Sequence, residues 1–108
     1  MNKIKRAIIS VWDKTGIVDL ANFLVSHNIE IISTGGTKKE LEKAGVPVLS
    51  VSSLTNQQEI MDGRVKTIHP NLFGGILADR SNDKHIHDLN LIESKLIDLV
   101  IINLYPFV

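Results

Sequence analysis

The sequence predicts a doubly wound α/β sheet, with parallel strands and helices on both faces, and three observations carry that prediction. The runs AIISV (7–11) and IEIIS (29–33) are short, β-branched and almost continuously apolar, as strands buried on both faces of a parallel sheet are. Between them GIVDLANFLVSHN places Ile17, Leu20, Ala21 and Leu24 at helical spacing. The same alternation then recurs, and short crossovers of this kind join parallel strands with a right-handed turn.

The remaining elements follow in order. TKKELEKAG (37–45) sets Thr37 three residues before Glu40, the pattern of a capping box, with Gly45 where a helix should stop. VPVLSV (46–51) reads as the next strand. LTNQQEIMDGRVKTIHPNLFGG (54–75) has weak periodicity and many turn formers, so it is expected to be mainly loop with a short helix near either end. NDKHIHDLNLIESK (82–95) is a helix candidate, and DLVIINLY (98–105) is a strand that Pro106 ends.

A chain of 108 residues and 12.0 kDa forms one domain with a modest core. Lysine and arginine total 12 and aspartate and glutamate 12, so the formal net charge is zero. A general nucleic-acid or membrane-surface binder would show a basic excess. Any anion site must therefore be local. With no cysteine, neither a disulfide framework nor a thiolate metal site is possible. The apolar run after MNKIKR is too short for a signal peptide, and none approaches the ~18 residues of a membrane span. A cytoplasmic protein is expected. The final residues, DLVIINLYPFV, are among the most apolar of the chain, which leads us to expect a truncated part of a longer domain.

Ligands of open parallel sheets sit off the carboxyl ends of the strands, where loops lead into helix N-termini. Three segments fall there: Ser10-Val11-Trp12-Asp13-Lys14, Ser33-Thr34-Gly35-Gly36-Thr37 and Asn103-Leu104-Tyr105. In STGGT the glycines allow close backbone approach, Thr34 and Thr37 add hydroxyls, and the helix that follows offers free amides and a positive dipole end to an anion. A phosphate monoester fits. The plainer alternative makes Gly35-Gly36 a turn and Thr37 a cap. Neither a Walker loop nor G-x-G-x-x-G occurs, so nucleoside triphosphates and dinucleotides lose ground.

MDGRVKTIHP (61–70) is the second cluster. An extended backbone there would turn Arg64 and Lys66 to one face, beside Thr67 and His69-Pro70. A guanidinium fork and a mobile ammonium suit an anionic substrate with one group to clamp and another to polarise; two solvated loop cations are the alternative. His85 and His87 would diverge on a helix, with no clear third ligand for a metal. His27 suits the C-terminus of the first helix through the dipole. Trp12 is core, wall or base-stacking platform.

SVWDKTG, STGGT, MDGRVKTIHP, GGILADR and NLYPF stand here in the order and spacing of the N-terminal part of the bifunctional IMP cyclohydrolase / AICAR formyltransferase family. The resemblance covers essentially the whole chain. It implies a methylglyoxal-synthase-like, Rossmann-like domain that closes the ring of formyl-AICAR to IMP with loss of water, without a metal or cofactor. It further implies that Ser10, Lys14 and Thr34-Gly35-Gly36-Thr37 hold the ribotide phosphate. Arg64 and Thr67 would help bind the ligand, and Lys66 would polarise the formyl oxygen or the departing water. Asn103 would line the base end, and Tyr105 would join the proton-transfer network. The family's catalytic aspartate, a second catalytic lysine and the 10-formyltetrahydrofolate-using formyltransferase domain have no counterpart in these residues. The chain alone is therefore expected to be inactive or nearly so, and the full-length form to be a homodimer. A methylglyoxal synthase would carry acidic residues around a G-G-D-Q-Q-like stretch, which is not found. A regulatory phosphate-binding module would not need Lys66 or Tyr105.

Overall fold

The computed structural model describes residues 4–52 and 70–103. Two compact units divide the chain, one formed by the residues up to Ser50 with those from Asp98 onward, the other by Val51–Ile97.

The first unit holds a four-stranded parallel sheet. Its strands are β1 (Arg6–Ser10), β2 (Glu30–Ser33), β3 (Leu49–Ser50) and β4 (Leu99–Ile102), in the order β3-β2-β1-β4. Ile9 lies beside Ser33 across one ladder and Ser10 beside Ile102 across the other. The chain thus leaves β1 in one direction and later returns to its other side. That reversal opens a crevice at the carboxyl ends of β1 and β4. An Arg6–Glu30 ion pair of 2.7 Å joins neighbouring strands at the opposite end.

Helices α1 (Ile17–Ser26) and α2 (Gly35–Lys43) cover one face of this sheet. Ile17, Ala21 and Leu24 of α1 and Leu41 of α2 pack on Ala7, Ile9, Val11 and Ile31. Each valine, leucine or isoleucine among them, fully buried, contributes roughly 1.5–3 kcal/mol. Leu20, expected on this stripe, is instead 37% exposed, because the buried line runs through Ile17, Ala21 and Leu24 and leaves its flank to solvent.

Three sequence expectations are corrected in length or phase. Helix α2 begins at Gly35, so Thr37 lies inside its first turn and the Thr37–Glu40 capping box does not form. Strand β3 has two residues instead of six; Pro47 has no N–H to give a ladder. Strand β4 starts at Leu99 and is described to Ile102.

The second unit carries α3 (Pro70–Leu77), the short helix expected near the end of the loop segment, and α4 (Asp83–Leu91). Asn82 caps α4, its side chain accepting from the N–H groups of Lys84 at 3.0 Å and His85 at 3.2 Å. Gly75 meets the segment after α4 at very close range: Ile97 N donates to its carbonyl at 3.0 Å, and a Cβ there would collide with the carbonyl of Lys95.

Helices α1, α2 and α4 end alike. Ile29 N donates to Leu24 O, Val46 N to Leu41 O and Ser94 N to Leu89 O, at 3.0, 2.9 and 2.9 Å. The preceding residues, Asn28, Gly45 and Glu93, have φ of 61°, 82° and 56°. This is a left-handed stop that closes the last open carbonyls of each helix.

Candidate functional site

The paired ends of β1, β2 and β4 bring three loops together. Residues 11–14 leave β1, Thr34-Gly35-Gly36 leaves β2, and Asn103 follows β4 directly. The convergence expected from the sequence is present for each of these segments.

Side chains, not a backbone ladder, hold the first loop. The Thr37 hydroxyl accepts from Val11 N at 3.1 Å and donates to Val11 O at 3.0 Å. The Asn103 carboxamide accepts from Trp12 N at 2.6 Å and Asp13 N at 3.0 Å, and donates to Asp13 O at 2.8 Å. Lys14 Nζ donates to the carbonyls of Val11 and Trp12 at 3.2 and 3.1 Å. Every backbone N–H and C=O from Val11 to Asp13 is thereby satisfied by a side chain. Asp13 in turn accepts from Thr15 N at 3.0 Å and Thr15 Oγ1 at 2.7 Å. These two bonds, the backbone one foremost, hold its carboxyl below the usual aspartate range.

The second loop exposes a helix start. Thr34 stands at the N-cap in extended backbone (φ −143°, ψ 162°), yet its side chain makes no capping hydrogen bond. The first bond closing the helix runs from Lys38 N to Thr34 O at 3.2 Å, so the amides of Gly35, Gly36 and Thr37 have no intrahelical acceptor. Gly35 has φ 55°, and a left-handed residue ahead of a right-handed one turns successive N–H groups into an anion-sized concavity. The Lys14 side chain lies beside Gly36. A Cβ placed on Gly36 would be 3.3 Å from Lys14 Cε and 3.6 Å from Nζ. The Lys14 ammonium thus lies beside the first turn of α2, whose N-cap side chain makes no capping bond.

Individual side chains depart from expectation in informative ways. Thr37 is buried with its hydroxyl engaged at Val11, so what it offers a ligand is its backbone N–H and not the hydroxyl donor read from the sequence. Trp12 is 51% exposed and is not core. Ser10 is half-buried at the end of β1. Arg64, Lys66, Thr67 and Tyr105 lie outside the described residues. In the second unit, His85 Nδ1 accepts from Asp79 N at 2.9 Å, a packing role, and His87 is exposed. His27 Nδ1 lies 2.9 Å from Phe23 O at the end of α1, as a terminal histidine should. The Asp13–Thr15 turn was legible in principle, since an aspartate that bonds the backbone two residues on is a turn former just ahead of a helix.

Fold and loops together define a parallel α/β domain whose strand ends gather three loops around an open helix start. The chain belongs to the MGS-like domain family, which matches residues 16–108. Among curated relatives, the bifunctional purine biosynthesis protein PurH of Fusobacterium nucleatum subsp. nucleatum is 59% identical over 103 residues, 95% of this chain and 20% of that protein. PurH of Staphylococcus carnosus (strain TM300) is 58% identical over 104 residues, 96% and 21% respectively. PurH of Bacillus thuringiensis subsp. konkukian is 55% identical over 103. The chain therefore spans about a fifth of the length of these relatives. The crystal structure of ForH matches with a TM-score of 0.88 and 30% identity, over 98% of this chain and 55% of that one. The resemblance read from the five motifs is borne out. Among the described residues, no helix is long and apolar enough to cross a membrane.

Proposed function

We propose that this chain forms the ribotide-holding part of an IMP cyclohydrolase, acting in de novo purine biosynthesis in the cytoplasm. The observation that carries the reading is the meeting of Lys14 with the uncapped start of α2 across Gly36. A phosphate monoester there would take N–H groups from Gly35, Gly36 and Thr37, the positive end of α2 and one ammonium. Ser10, at the end of β1, and Thr34, the residue before α2, would complete the phosphate site. The name of the PurH relatives, bifunctional purine biosynthesis protein, supports a purine ribotide as the molecule that phosphate belongs to.

The reaction is closure of the formyl-AICAR ring. The carboxamide nitrogen bonds to the formyl carbon, whose oxygen then leaves as water with one proton from each nitrogen. No redox change occurs, and no cofactor is called for. The protein's contribution is to fix the ribotide by its phosphate, so that the two groups meet, and to manage charge on the oxygen. Arg64 and Thr67 help hold the ligand, Lys66 polarises the formyl oxygen or the departing water, and Tyr105 serves proton transfer. The assembled enzyme is a homodimer.

Calorimetric titration with IMP at low salt tests the reading. We expect saturable binding that Lys14→Ala and Arg64→Ala each weaken by about tenfold or more, the loss of a charge-assisted hydrogen bond. Undiminished binding in both variants would place the nucleotide elsewhere.

A further inference from the structure

We propose that Asn103 is a positioning residue, a clamp that holds Lys14 beside the phosphate cradle. The inference rests on the ribotide reading above for its ligand, and on hydrogen bonding alone for its mechanism. A carboxamide offers an acceptor oxygen with two lone pairs and an NH2 with two donors; both lone pairs and one of the N–H groups are engaged with the loop after β1. The oxygen receives the N–H groups of Trp12 and Asp13, and the nitrogen donates to the Asp13 carbonyl. Those bonds lock the orientation of the three peptide groups that lead from Val11 to Lys14. The Trp12 carbonyl, whose direction depends on them, is one of the two oxygens that hold Nζ. The other, Val11 O, is set by Thr37 from the α2 side. The lysine is therefore aimed by two side chains from opposite flanks of β1, one from the first turn of α2 after β2 and one from the residue after β4.

The geometry also explains why asparagine stands there. Aspartate would accept both N–H groups but would set a carboxylate oxygen against the Asp13 carbonyl. Alanine would leave all three backbone groups to water.

Two measurements on the 108-residue chain test the clamp. The first is amide hydrogen exchange, with no ligand present. Asn103→Ala is expected to speed exchange at Trp12 and Asp13 about tenfold, the loss of one well-made hydrogen bond each, while Asn103→Asp, which keeps the accepting oxygen, stays within about threefold of the parent. Fluorescence anisotropy of Trp12, the only tryptophan, should fall in Asn103→Ala. The second is calorimetry with ribose 5-phosphate and with IMP, at a temperature where every variant is fully folded. A clamp acting through Lys14 weakens both ligands by the same factor, about fivefold or more. Loss of IMP affinity with ribose 5-phosphate unchanged would put Asn103 at the base and overturn the proposal. So would unaltered exchange at Trp12 and Asp13 in Asn103→Ala. If the parent chain binds neither phosphate ester, the ribotide reading fails, and the exchange comparison alone decides whether Asn103 holds the loop.

Discussion

Gly36 separates the Lys14 ammonium from the first turn of α2 by the space of one missing methyl group. The atoms a Cβ would press on are the far end of a flexible side chain, at 3.3 and 3.6 Å, and alanine is a better helix former than glycine. Gly36→Ala should therefore leave the melting temperature unchanged or higher while weakening IMP binding several-fold, about three- to tenfold; a parallel fall in stability would point to packing instead. At Gly35, where φ is 55°, alanine should cost about 1 kcal/mol in denaturant unfolding. Asp13 adds a pH dependence. Its carboxyl is held below the usual aspartate value, chiefly by the N–H and then the hydroxyl of Thr15. A depressed folded-state value means that the stabilisation is present above the unfolded value and is lost as pH falls through the folded one. Thr15→Ala should raise the Asp13 pKa in a carbon-detected NMR titration, and an unchanged value would remove the hydroxyl from the account. Individual roles were the least legible part of the sequence. Thr37 and Asn103 were both visible as polar residues at strand ends. That their side chains turn back onto the β1 loop depends on which strands are neighbours, which residue type alone does not say.

Helix ends carry the predictions at the next scale. Glu93 adopts the left-handed conformation that Gly45 supplies at the end of α2. Glu93→Gly is therefore expected to stabilise the second unit by up to about 1 kcal/mol in thermal unfolding, and a destabilised variant would contradict the strain. Asn82→Ala removes the double cap of α4 and should cost about 1 kcal/mol. The start of α2 was misplaced because Thr37 and Glu40 match a capping box locally. The chain enters the helix three residues earlier, with Thr34 at the N-cap and Gly35 first in the helix, whose positive φ the pattern does not encode. Gly45 was readable as a stop, and Asn28 could have been, since asparagine follows glycine in that geometry; Glu93, a residue seldom found there, could not. GGILADR stood out as a family motif without a stated reason. Gly75 supplies one: the backbone of the 95–97 segment passes where a side chain would be.

For the molecule as a whole, alternation of apolar runs was enough to read a parallel sheet, because burial on both faces leaves little choice of strand composition. The strand order was beyond that reading, since nothing in a run of valine and isoleucine says which neighbour it takes. Order matters here. The first and last strands described lie side by side, and the bonds that shape the loop after β1 join residues 90 and 91 positions apart in the chain. A ribosome releases the sequence from its N-terminus, at about 5–20 residues per second. Lys14 and the α2 turn emerge early, yet the residue that aims the lysine follows about 90 residues later. In the proposed reading, a growing chain therefore carries the parts of the cradle for seconds without its alignment, which comes only when β4 settles beside β1.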